Sequence, residues 1–235
     1  MIDFKEGEII GIDKPYRMTS FGALAHIRYV ISKRMGHKVK VGHAGTLDPL
    51  ATGVLVLCTG RATKQIESLQ QHDKEYVATL QLGATTPSFD MEHPVDKEYP
   101  TAHITRDRIE STLRQFEGEI SQVPPSYSAC MVNGDRAYDL MRKGKTVELK
   151  PKQVRIDRIE LLDFDADKMQ MTIRVVCGKG TYIRALARDM GQALDSGAYL
   201  TALRRTRAGS IRAEDCHTLD TFKEWLDRQE IAETA

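Results

Sequence analysis

An α+β fold built on a largely antiparallel sheet is what this sequence predicts, and three observations lead there. Apolar residues at period two interleave with apolar residues at helical period, without the strict strand-helix alternation of a parallel doubly wound sheet. Two period-two stretches, residues 154–162 and 169–177, are separated by a short Asp-containing step and so pair as a hairpin. The chain has 235 residues and 41% hydrophobic composition, enough for one substantial core but short for two full-sized domains and a linker. One compact body over residues 1–235 is expected.

The elements follow in order. Residues 8–13 read as a short strand. Ser20 caps a helix in which Leu24, Ile27, Val30 and Ile31 recur at helical spacing, and Gly36 ends it. Residues 54–57 are wholly apolar and form either a strand or the start of a buried helix, since period alone does not separate the two. Tyr76, Ala78, Leu80 and Leu82 alternate with Glu75, Val77, Thr79 and Gln81, the signature of a half-buried strand. Thr105 caps the next helix, with Ile104 stapled onto Ile109; it runs through Leu113 and Phe116, and Gly118 stops it. Pro124-Pro125 opens an irregular excursion, residues 124–153, that carries Lys143, Lys145, Lys150 and Lys152. In the hairpin, Met169, Met171, Ile173, Val175 and Cys177 point one way, and Asp165-Ala166-Asp167-Lys168 makes the turn. A helix from about Thr181 buries Ile183, Leu186, Ala187, Met190 and Leu194, ended by Gly197. A last short helix carries Phe222, Trp225 and Leu226.

The start of the chain has neither a basic region followed by an apolar stretch nor the acid-poor character of a transit peptide, and no apolar run approaches spanning length. A soluble, cytoplasmic protein that meets no membrane is expected. Cys58, Cys130, Cys177 and Cys216 are scattered without a C-x-x-C pair, which suggests neither zinc nor disulfides. The net charge of +1 hides a segregation. Arg28, Lys33, Arg34, Lys38 and Lys40 occur with no acid before His43, whereas the tail, 213–235, carries Glu214, Asp215, Asp220, Glu224, Asp227, Glu230 and Glu233. The basic stretch either faces phosphates or is a solvated helix end and loop, and charge alone supports both equally.

Three look-alikes fail. Asp163, Asp165 and Asp167 resemble the start of a calcium loop, but Lys168 stands where Gly is needed and Arg174 where Glu is needed. Gly178-Lys179-Gly180-Thr181 lacks the earlier glycine of a phosphate-binding loop, and Gly42-His43-Ala44-Gly45 is too short a match to an RNA-clamping turn to count. The unusual stretch is Gly42-His43-Ala44-Gly45-Thr46-Leu47-Asp48-Pro49-Leu50-Ala51-Thr52-Gly53. Its glycines permit tight or left-handed backbone and Pro49 biases Asp48 away from helix, so the carboxylate is aimed by backbone. An arbitrary Asp before Pro more often forms a turn hydrogen bond or caps a helix.

That stretch resembles the catalytic loop of the TruB-type pseudouridine synthases almost letter for letter. The resemblance extends through Asp13-Lys14-Pro15, Ala62-Thr63-Lys64, Lys74-Glu75-Tyr76, Pro125-Ser126-Tyr127-Ser128-Ala129, Gly180-Thr181-Tyr182-Ile183-Arg184 and Leu203-Arg204-Arg205, up to about Arg212. It implies the pseudouridine synthase fold, a central sheet flanked by helices with an active-site cleft across it. It also implies conversion of the uridine at position 55 of the tRNA T-loop to pseudouridine by base flipping, with tRNA as partner and no metal, cofactor or obligatory protein partner. Asp48 becomes the catalytic carboxylate and Arg184 the guanidinium that pairs with it. Tyr76 stacks on the flipped uracil and is placed to move a proton; Tyr182 and Leu203 are further pocket walls, and His43 takes the place of the extruded base. Lys14 and Lys64 are supporting or phosphate-side residues.

Two departures limit the transfer. Pro87 stands where the family often has Asp, which puts a polar contact in doubt, although Asp90 is retained as a substrate-side residue. Many members continue into a C-terminal PUA-type domain where this chain has a short acidic tail, so weaker contact with the acceptor arm is expected. The excursion 124–153 falls where the family has a thumb-like insertion on the T-arm. Two other functions share these features: an RNA-binding chaperone of tRNA folding, and a guide-RNA-dependent pseudouridine synthase.

Overall fold

The protein is described by a computed structural model over residues 1–128, 131–132, 135–137, 140 and 149–232. It forms two compact units, one of Met1–Tyr76 with Arg204–Ala235 and one of Val77–Leu203. The first is therefore discontinuous in sequence.

The first unit begins with β1 (Ile9–Lys14), α1 (Ser20–Met35), β2 (Val41–His43) and β3 (Ala51–Thr59). A 3-10 turn (Gly60–Gln65) and the single turn α2 (Ile66–Leu69) lead into β4 (Lys74–Leu82). β3 pairs antiparallel with β1, from Ile9 opposite Cys58 to Lys14 opposite Gly53, and with β2, His43 lying opposite Leu57. The two faces of β3 are both covered. Leu55 and Leu57 join Ile10, Ile12, Leu24, Ile27, Ile31, Phe222 and Leu226 in one core, while Val54 and Val56 pack with Ala44 and Ala208 on the other. Burial on both faces is why its sequence shows an unbroken apolar run rather than alternation.

The second unit contains β5 (Ala84–Thr85) paired with β6 (Lys97–Glu98), then α3 (Arg106–Leu113) and β7 (Gly118–Gln122). A short pair, β8 (Met131–Val132) and β9 (Asp135–Arg136), precedes β10 (Lys152–Asp165), β11 (Gln170–Cys177) and α4 (Ile183–Ala193). The chain returns to the first unit along β12 (Ala198–Ala208) and ends with β13 (Ile211–Arg212) and α5 (Leu219–Asp227). In the first unit the strand order is β1, β3, β12, β4; in the second it is β12, β4, β11, β10, β7. The fold is the expected α+β with a large, mostly antiparallel sheet. No helix among the described residues is long and apolar enough to cross a membrane.

Several local expectations shift. Thr19, not Ser20, caps α1, accepting the Gly22 amide at 2.9 Å. The ambiguous stretch 54–57 is a strand. The helix expected from Thr181 starts at Ile183, and it is Asp195, with φ 52, rather than Gly197 that turns the chain after it. Gly197 serves packing instead, because a Cβ there would lie 2.6 Å from the ring of Tyr99. The hairpin turn is as expected, the Asp165 carboxylate accepting the Lys168 amide at 3.0 Å. β2, β7 and β12 were not anticipated. Cys58 and Cys177 are buried free thiols and Cys216 is half-buried and free. Residues 129–130, 133–134, 138–139 and 141–148 of the excursion 124–153, Cys130, Lys143 and Lys145 among them, lie outside the described residues, as do 233–235.

Candidate active site

The loop between β2 and β3 carries Asp48. Its backbone enters through Gly45 at φ 105 and leaves through Gly53 at φ 100. At Gly53 only glycine fits, because a Cβ would lie 2.1 Å from the carbonyl oxygen of Arg205. The Asp48 carbonyl accepts the Ala51 amide at 3.0 Å, closing a tight turn around Pro49, and the Asp48 side chain is half-buried.

Three side chains hold this loop from beneath. The Ser20 hydroxyl donates to the Leu47 carbonyl at 2.9 Å and accepts the Leu47 amide at 2.8 Å, so the residue before Asp48 is fixed on both sides of its backbone. Lys14 is fully buried, and its Nζ donates to the carbonyls of Pro15 (2.9 Å), Met18 (2.6 Å) and Pro49 (3.3 Å). Burial pulls the Lys14 pKa down from 10.5 to about 8; the Asp48 charge opposes that shift and Arg205 adds to it. Arg205, 2% exposed, donates from Nε to the Val54 carbonyl at 2.7 Å and from Nη2 to the Gly45 carbonyl at 3.1 Å.

The other expected residues of the first unit are disposed around this frame. Tyr76 is buried on β4, His43 is half-buried at the end of β2, and Lys64 is exposed on the 3-10 turn. Lys14 is thus an interior support of the loop and Lys64 a surface cation. Nothing in sequence spacing had pointed to Ser20 as a loop partner, and Arg205 stood out only inside the Leu203-Arg204-Arg205 block.

In the second unit Arg184 is 4% exposed at the start of α4. Its Nη1 donates to the Ser88 carbonyl at 3.1 Å and its Nη2 to the Tyr127 carbonyl at 2.8 Å, while Nε stands 3.7 Å from the Asp90 carboxylate. Asp90 is itself buried and held: one oxygen accepts the Ser88 hydroxyl at 2.5 Å and the Glu92 amide at 3.0 Å. Phe89 between them has φ 59, a conformation bulky residues rarely adopt. Asp90 is therefore an ion-pair partner of Arg184. Tyr182 precedes α4, exchanging backbone hydrogen bonds with the Gln122 side chain at 2.9 and 3.2 Å. Tyr182 and Leu203 are both half-buried.

Known proteins resemble this chain in sequence and fold. Residues 33–183 match the family model of the TruB family pseudouridylate synthase N-terminal domain, and residues 184–235 match that of the tRNA pseudouridylate synthase B C-terminal domain. The acidic tail thus falls within a recognised family segment. The chain is 63% identical over 233 residues to the tRNA pseudouridine synthase B of Bacteroides thetaiotaomicron, covering 98% of this chain and 97% of that protein. It is 42% identical to the protein of the same name from Francisella philomiragia subsp. philomiragia, of which it covers 73%, with 97% of this chain matched. Among solved structures, a chain of a Cbf5-Nop10-Gar1 complex matches with a TM-score of 0.70 and 30% identity, over 97% of this chain and 58% of that one. With two family models in chain order and a relative matched almost end to end, the chain belongs to the TruB family of pseudouridylate synthases.

Proposed function

We propose that this chain is a tRNA pseudouridine synthase that isomerises the uridine at position 55 of the T-loop, with Asp48 as its catalytic carboxylate. The observation that carries this reading is the Asp48 loop itself: a carboxylate on a glycine-bounded turn whose flanking backbone is held by Ser20, Lys14 and Arg205. The relatives named tRNA pseudouridine synthase B supply the substrate class.

The reaction breaks the bond from ribose C1′ to uracil N1 and makes one from C1′ to C5, after which C5 loses its proton and N1 ends with one in its place. No atom is gained or lost and no electron is transferred, so the chemistry calls for a carboxylate and a base-binding slot rather than a redox group. Arg184, fixed by Ser88, Tyr127 and Asp90, supplies the guanidinium that pairs with the catalytic carboxylate. Tyr76 stacks on the everted base and moves the C5 proton; Tyr182 and Leu203 exclude water; His43 occupies the space the base leaves. Lys64 and the excursion 124–153 meet T-arm phosphates. The protein works in the cytoplasm on tRNA, without an obligatory protein partner.

The test is release of the C5 hydrogen from a T-arm stem-loop labelled at that position. Asp48→Asn is expected to lower turnover by more than about 10⁴-fold while the RNA still binds. Retained turnover refutes the assignment. The second reading, a guide-RNA-dependent synthase, has in its support only that the similar chain of the Cbf5-Nop10-Gar1 complex is assembled with other proteins. Activity of the purified chain on a bare hairpin excludes it, and inactivity without added guide RNA and proteins supports it.

A further inference from the structure

The proposed carboxylate is only as well aimed as the backbone that carries it, and that backbone is gripped at both of its hinges by one residue. Arg205 reaches the Gly45 carbonyl where the loop begins and the Val54 carbonyl where it ends. Its own backbone covers Gly53, whose missing side chain lets β12 approach so closely. A guanidinium is suited to this because its donors diverge in a rigid plane, whereas an ammonium is a point donor on a flexible stem. Burying an arginine is unfavourable unless its donors are satisfied, and here one acceptor, Gly45, belongs to the loop and the other, Val54, to the strand the loop runs into. A residue that merely filled space at this point would be apolar. Ser20 adds a third fixed point midway, at Leu47.

We propose that Arg205 is a positioning residue for the reaction: by pinning the carbonyls of Gly45 and Val54 it sets the direction of the Asp48 carboxylate, and it acts on the chemical step rather than on RNA affinity. The inference rests on the reading of Asp48 as the catalytic carboxylate. A loop released at one hinge still presents the same surface to RNA but lets the carboxylate wander, and a displacement of about 1 Å costs on the order of 100-fold in rate.

The experiment compares the unaltered chain, Asp48→Asn, Arg205→Lys, Arg205→Met and Ser20→Ala on a C5-tritiated T-arm stem-loop. It measures single-turnover release, RNA affinity and melting temperature. If the unaltered chain releases no tritium, or Asp48→Asn releases it normally, the catalytic reading itself fails, whatever the other variants do. If those two behave as expected, Arg205→Met is expected to lose about 100-fold in single-turnover rate with RNA affinity within about two-fold, and Arg205→Lys to fall between it and the native protein. A rate in Arg205→Lys and Arg205→Met within about two-fold of native overturns the proposal, as does a loss of RNA affinity that matches the loss of rate. Should Arg205→Met not fold, Arg205→Lys and Ser20→Ala, which removes one hydroxyl, decide on the same terms.

Discussion

Lys14 keeps an ammonium in the interior, ringed by the carbonyls of Pro15, Met18 and Pro49, and burial brings its pKa down to about 8. Its value in the unfolded chain is near 10.5, so between those limits the unfolded state binds more protons than the folded one. Stability is therefore penalised below about pH 8 and rises with pH from about 8 to 10.5 on account of this residue. Activity should move the other way. A neutral amine has two hydrogens for three carbonyls, so deprotonation loosens the hold on Pro49 and removes a positive charge that faces Asp48. The single-turnover rate is expected to fall as pH passes about 8, and Lys14→Met should be slower than native yet flat across that range. A pH–rate profile of the two proteins checks this; an alkaline fall that persists unchanged in Lys14→Met assigns it to another group.

At the level of elements, the close approach of β12 to the loop makes a sharp distinction between two left-handed glycines. Gly36, at φ 70 after α1, has nothing within 4 Å of where a Cβ would be, so Gly36→Ala should cost only the backbone penalty, about 1–2 kcal/mol. Gly53→Ala adds overpacking against the Arg205 backbone, and should cost roughly 2–5 kcal/mol in total. Denaturant midpoints compare the two, and equal losses would mean that β12 yields easily. The same strand shows what the sequence could and could not tell. β1, β4, β11 and α3 were legible because each buries one regular face, whereas β10 was legible through its short turn to β11 even though two register shifts break its alternation. In β12 the period is interrupted by Arg205, a buried charge that patterning counts as exposed. For the same reason the sequence left Lys14 open between a supporting and a phosphate-side role: burial of a cation depends on carbonyls distant in sequence, such as that of Pro49. The tight loop around Asp48 was legible through its glycines and proline. Ser20 was legible as a polar residue at a helix start, but its partner lies 27 residues away, and capping chemistry gave the simpler and mistaken explanation.

Across the whole molecule, charge is distributed by sign in a way that the total of +1 conceals. Residues 14–47 contain seven lysines and arginines and no acid, while seven acids follow Arg212. Lys33, Lys38 and Lys40 are exposed within the basic stretch, and Lys223 is exposed in the acidic tail, where it pairs with Asp227 at 2.6 Å. If the basic stretch faces phosphates, each cation that meets one releases a condensed counterion when RNA binds, and the logarithm of affinity falls with the logarithm of salt by about 0.7–0.9 for each such contact. Neutralising Lys33, Lys38 or Lys40 to Gln should then weaken T-arm binding and reduce that slope by nearly one apiece. Lys223→Gln should leave it unchanged, because its charge is already balanced by Asp227 within one helix turn. Turnover at saturating RNA should be the same in all four proteins, since none of these side chains takes part in the Asp48 loop. Affinity titrations of a T-arm stem-loop over a range of potassium chloride separate the two accounts of the basic stretch. A slope that ignores Lys33, Lys38 and Lys40 makes it a solvated surface and moves the phosphate contacts to Lys64 and the excursion 124–153.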